Sequence, residues 1–205
     1  MTMSIIKQSL GNSFNKLHPM LQKRYDISEE KPFQATGTMR KISGGPKWLY
    51  PFFYFGVHWK LLFPEHGENI PFTIKNTARH GKNGEEQIHW QRIFHFGEKR
   101  RYFNALMSLD KKRNIIEDYL GEPPLMYSDL KFSCIDGGLR IDSYKQRLVL
   151  GRIEIPLPKV LQGLATVTER YNEEKGVYEI SVIVKNPIIG QVFGYEGEFT
   201  SDEIF

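Results

Sequence analysis

The chain has one cysteine, Cys134, in 205 residues. No disulfide can form within it, so a packed core has to stabilise the fold, and a reducing compartment suits it. Long apolar runs are also missing. A bilayer-spanning helix needs about 20 apolar residues. The greasiest stretch, PKWLYPFFYFGVHWKLLFPEHG at 46–67, is interrupted by Pro51, His58 and Lys60 and stopped by Pro64. The N-terminus lacks the basic-then-apolar order of a secretory leader. No Pro/Gly/Ser-rich linker, internal repeat or low-complexity segment divides the sequence. GxSxG, P-loop, CxxC and HExxH motifs are absent, which removes the chemistries those motifs announce. A formal net charge of +4 is mild, and the clusters KRR at 99–101 and KKR at 111–113 read as solvated turns. A nucleic-acid partner is therefore not expected. The expectation is one cytoplasmic domain over 1–205.

Six histidines invite a search for a metal site. His89 and His95 share a strand face but stand about 20 Å apart at strand rise. His80 can approach His89 across a hairpin, yet no third ligand is apparent. Neither a metal nor a cofactor is expected.

What is present has a clear order. Phe14, Leu17, Leu21 and Tyr25 recur at helical spacing and predict an amphipathic helix over 13–25. PFQATGTMRKI alternates and predicts a strand over 33–42, followed by an SGGP turn and a helix over about 51–63. From 70 to 199 the pattern is almost wholly β: short alternating runs separated by GKNGE, GEKR, DKKR, GEPP, DGG and NEEKG. About nine or ten strands curl rather than lie flat. The expected fold is α+β, a strongly curved antiparallel sheet, barrel or half-barrel, packed with the N-terminal helix and the aromatic helix. It is lipocalin-like; the long C-terminal helix of helix-grip domains is lacking.

On a helical wheel Trp48, Phe52, Phe55, Trp59 and Leu62 form one stripe, and Lys47, Tyr50, Tyr54 and His58 fall opposite. The stripe is expected to dock on the curved sheet as core or as the wall of a ligand pocket. Peripheral membrane contact is the least favoured use, because the polar face is poor in Lys and Arg.

The strand HWQRIFHF carries the second signal. Ile88, Trp90, Arg92, Phe94 and Phe96 alternate onto one apolar face, with Arg92 as the exception. A guanidinium buried among rings needs a carboxylate, backbone carbonyls or a ligand anion. Glu117, Glu169 and Glu179 are the candidate protein partners. The expected ligand-binding set is Trp90, Arg92, Phe94, Phe96, Phe55 and Trp59, with Tyr54 and His58 on the rim. Cys134 alternates with Leu130 and Phe132 and reads as a buried small apolar residue.

Several segments occur together in a recognisable order: LHPMLQKRY, HWQRIFHF followed by YFNALM, GGLRID, LGRIEIPLP and KNPIIGQVFGYEG. Its signature pieces are Trp90-x-Arg92-x-Phe94, Pro156-Leu157-Pro158 and Asn186-Pro187-Ile188-Ile189-Gly190. Over nearly its whole length the chain resembles a bacterial family known as a domain of unknown function, found stand-alone and fused after saccharopine-dehydrogenase-like domains. That family often has His-Pro-Leu-Leu-Gly at this place; Asn186 replaces the His here, and that departure argues against an obligatory histidine catalyst at this point. It implies a fold and no reaction. Both Pro motifs also have a local reading as turns and crossovers.

The function expected from the residues is a non-enzymatic binding module for a small apolar or acidic amphipathic ligand, with Arg92 on an acidic head group. The alternatives are a cofactor-free enzyme using His58, Tyr54 or Arg92, and a structural or accessory interaction domain. No catalytic residue is assigned, and oligomeric state stays open.

Overall fold

The computed structural model describes residues 4–202. The strands are β1 Phe33–Gly44, β2 Gly67–His80, β3 Glu86–Phe96, β4 Lys99–Tyr102, β5 Ala105–Asp110, β6 Ile115–Leu120, β7 Met126–Ile135, β8 Gly138–Leu150, β9 Ile153–Pro156, β10 Leu164–Asn172, β11 Val177–Asn186 and β12 Gly190–Ser201. Every pairing is antiparallel, and most consecutive strands form hairpins. Asp136 and Gly137, with φ of 49° and 77°, make the two-residue turn between β7 and β8, the Asp-Gly arrangement that matches the strand twist.

The sheet runs β10-β11-β12-β1-β2-β3-β5-β6-β7-β8 and then returns, because β8 pairs with β10 from Leu139↔Glu169 to Asp142↔Thr166. Ten strands thus close a barrel among the described residues, and β4 and β9 extend its wall, β4 along the edge of β3 that β5 takes next and β9 along the edge of β8 that β10 takes. Closure removes the open edges a half-barrel would leave. Where β1 crosses β12 the backbones nearly touch. A Cβ on Gly37 would lie 2.2 Å from the Glu198 carbonyl oxygen, and one on Gly197 would lie 2.2 Å from that of Thr38, so only glycine permits this approach.

The two mouths are capped differently. At one, the chain before β1 forms α1 Ile5–Leu10, a 3-10 turn Gly11–Lys16 and α2 Pro19–Tyr25. The helix predicted over 13–25 is split at Pro19, a residue that can break a helix or start one. Pro19 takes the first position of α2, and His18 caps it by accepting the Met20 N–H. Leu21, Arg24 and Tyr25 turn into the barrel and are buried. Both ends of the described chain lie at this mouth: Ser4 beside the β2–β3 turn, and Asp202, whose N–H donates to Gln34 O.

The other mouth holds α3 Tyr50–Val57, shorter than the helix predicted over 51–63. The helix stops in a Schellman turn: Leu61 N–H reaches the Gly56 carbonyl, and Lys60 takes φ 52°. Lysine in place of the usual glycine hides this stop from the sequence. The expected inward stripe docks only through its end, where Trp59 and Leu62 pack against the core. Trp48, Phe52 and Phe55 are exposed and Trp59 half-buried, whereas Phe53, Gly56, Leu61 and Phe63 are buried. The helix rests on Phe53 against Phe193. Past the turn, Phe63 drops among Phe94, Phe96 and Phe193.

Candidate functional site

Alternation along the strands decides which side chains enter the barrel. In β3 it turns Ile88, Trp90, Arg92 and Phe94 inward and buries them, as the sequence predicts; Phe96, near the mouth, is half-buried. The rings beside Phe94 are close-packed: Phe63 and Phe72 each have centroids 5.0 Å away, and Tyr195 lies at 5.1 Å. The half of the barrel under α3 is therefore an aromatic core. The polar interior lies deeper, towards the helix-capped mouth.

Arg92 is 5 % exposed. Its Nε donates to Phe103 O at 2.6 Å and its Nη1 to the Tyr195 hydroxyl at 3.4 Å. Its guanidinium carbon lies 4.1 Å from the Phe103 ring centroid and 5.7 Å from that of Trp90. None of the three expected carboxylates meets it. Glu117 accepts from Arg113, and Glu179 accepts from Asn172. Glu169 is held by Arg24, through Nε and through Nη2 at 3.1 Å, and by the Tyr25 hydroxyl at 2.9 Å. Sequence alternation cannot see that partner, because Arg24 arrives from α2. Burial alone would lower the Arg24 pKa, but Glu169 more than offsets it and leaves it raised. Burial pushes the Tyr25 hydroxyl well up.

Four more inward side chains complete the polar interior. Asn76 on β2 faces Trp90 across the ladder, and Asp118 on β6 faces Ser128 on β7. All four are buried. Both amide atoms of Asn76, Trp90 Nε1, Asp118 Oδ1 and Ser128 Oγ have no hydrogen-bond partner among the described residues, nor has Arg24 Nη1. Burial raises the Asp118 carboxyl from its ordinary 3.8 to about 7, with Arg92 pulling it down through space. The arrangement offers donors from Arg92, Trp90 and Asn76 and acceptors from Asn76 and Asp118.

A cleft of about 250 Å³ opens beside this interior at the helix-capped mouth. Ser4, Ile5, Ile27, Ala78, His80 and Ile88 are among the residues that line it. Ala78 and Ile88 lie one inward position from Asn76 and Trp90. A second depression, lined by Ile115, Asp129, Tyr144 and Leu164, lies on the outer wall of the barrel.

The remaining sequence candidates are elsewhere. Tyr54, Phe55 and His58 are exposed on α3 and its end, and Trp59, packed against the edge of the core, meets the Phe55 ring in a tilted contact at 4.5 Å. The trio of His58, Tyr54 and Arg92 is not brought together, since Arg92 is inside and the others are outside. His89 points outward to Glu122 at 2.5 Å. Burial pushes the Glu122 carboxyl up, but Lys60 and His89 outweigh it and leave it lowered. Cys134 is half-buried. Asn186 caps its turn as its position suggests, accepting from the Ile188 and Ile189 N–H groups. No group of three His, Cys, Asp or Glu among the described residues could hold a metal ion.

Comparison with known proteins places this architecture. The chain is 42 % identical over 201 residues to the protein described as "Uncharacterized protein YndH" of Bacillus subtilis (strain 168), covering 98 % of each chain. No solved structure gives a significant match to it. The sequence profile described as "Domain of unknown function (DUF4166)" matches residues 17–199, and the chain belongs to that family.

Proposed function

We propose that the barrel is a receptor for a small amphipathic acid, with the anionic end on Arg92 and the apolar part against Trp90 and Ile88, towards the cleft. One observation carries this reading: the buried polar atoms of Asn76, Trp90, Asp118 and Ser128 that lack partners. An unmet buried group of this kind costs about 1–3 kcal/mol, and a ligand head group or its water would meet several at once. Arg92 supports the same reading, since its two side-chain acceptors are both neutral and a carboxylate would bind it far more strongly. The cleft over Ala78 and Ile88 is the natural access route. A carrier of this kind would serve stand-alone or fused behind saccharopine-dehydrogenase-like domains, and a cytoplasmic location suits its free thiol.

Native mass spectrometry of freshly purified protein tests the proposal. An anionic, lipid-sized adduct is expected to co-purify and to be lost in Arg92→Gln. Should that variant fail to fold, delipidated wild-type protein is titrated with a fluorescent fatty acid, with energy transfer from tryptophan as the readout. A folded wild-type protein that flies at its sequence mass and gives no transfer overturns the reading.

A further inference from the structure

Large apolar side chains are distributed unevenly over this molecule. Among the described residues, all the strongly exposed ones except Ile135 and Tyr144 come from segments at the α3 mouth. Three segments supply them: 46–58, with Trp48 59 %, Phe52 69 % and Phe55 61 % exposed; the β8–β9 tip and following turn, with Ile153 and Leu161; and the β11–β12 turn, with Ile188. The turns at the opposite mouth are polar and charged. The same rim carries Lys47, Lys99, Arg100, Arg152, Lys159 and Lys185, all exposed and none in a salt bridge with another described residue. Its carboxylates are mostly engaged, Glu65 with Arg101, Glu122 with Lys60 and Glu154 with Arg147. Glu68, Glu98 and Glu196 are the exposed exceptions among the described residues.

From this rim we infer a second function, independent of the interior ligand: the α3 mouth docks onto the surface of an anionic lipid bilayer. Rings and aliphatic side chains on separate prominences would sink to headgroup depth, and the unpaired basic side chains between them would meet lipid phosphates. The charge pattern selects an anionic partner. The relief selects a fluid one, because a yielding surface can accept three separate projections whereas a protein partner must match their shape. The basic residues lie on neighbouring turns rather than on α3, so the helix alone conceals them. Among the described residues no helix is long and apolar enough to cross a membrane, and the inference concerns the surface only.

Flotation of the whole protein with vesicles decides it. Vesicles of phosphatidylcholine with about 30 % phosphatidylglycerol should carry the protein, pure phosphatidylcholine much less. Reversing the charge of Lys47 or Lys159 should weaken binding by at least about five-fold each. The double variant Phe52→Ser/Phe55→Ser, at exposed positions that leave the fold intact, should weaken it by at least about ten-fold. Tryptophan emission should shift to the blue on binding, and the shift should shrink in Trp48→Phe. Failure to float at low salt overturns the inference. So does binding that the Phe52/Phe55 variant leaves unchanged, or a concentration-dependent dimer that this variant abolishes, which would assign the rim to a second copy of the chain.

Discussion

At the scale of single residues, the Asp118 carboxyl has a direct consequence for stability. Its folded pKa, about 7, lies above its ordinary 3.8 because burial disfavours the charge. Between those values the folded state binds more protons than the unfolded one, so stability is full below the unfolded pKa and falls as pH rises towards 7. Wild-type protein should therefore lose roughly 2–3 kcal/mol from this group between pH ~5 and pH ~8. Asp118→Asn, which keeps the shape and removes the charge, should flatten that slope and match wild type only at the acid end. Urea midpoints across the range measure it, and parallel profiles for the two proteins would contradict it. The sequence exposed Arg92 because a charge on an alternating apolar face breaks the pattern. It hid Asp118, which shares the inward face with Ile116 and Leu120 one residue from the outward Glu117. With a period of two, that one-residue step is the difference between inside and outside. Asn76 was hidden similarly, at the end of the face begun by Phe72 and Ile74.

At the scale of elements, α3 shows where periodicity stops being informative. A wheel assumes the helix continues, and Lys60 ends this one after two turns. Burial then passes to Leu61 and Phe63 beyond the stop, and Trp48, Phe52 and Phe55 of the wheel's stripe are left outside. Adjacent phenylalanines consequently differ sharply. Phe53→Ala removes a ring packed on Phe193 and should destabilise by about 3 kcal/mol. Phe52→Ala should stay within about 0.5 kcal/mol. Chemical denaturation of the two variants is a direct comparison, and equal losses would mean that the helix docks differently. The hairpins were more legible. Each consists of alternating residues and a turn with its own chemistry, and such local information survives in sequence.

At the scale of the whole molecule, the sequence pointed to a strongly curved sheet and left barrel and half-barrel open. Closure depends on β8 pairing with β10 across the intervening β9, a non-local choice with no turn to announce it. The ring has a dynamic consequence. Each of its ten strands is held on both sides, whereas β4 and β9 have one neighbour each. Amide hydrogens of β4 and β9 should exchange by local opening, orders of magnitude sooner than those of the ring, which should need near-global unfolding. Hydrogen exchange read by mass spectrometry would show this, and early exchange in β8 or β10 would place the weak seam at the closure instead.

The position of the chain ends has a practical outcome. Ser4 and Asp202 both sit at the helix-capped mouth, a full strand length from Trp48 and Phe52. A tag, a fused domain or a solid support attached through either terminus therefore orients the molecule. It holds the barrel upright and leaves the opposite, ring-studded face outermost.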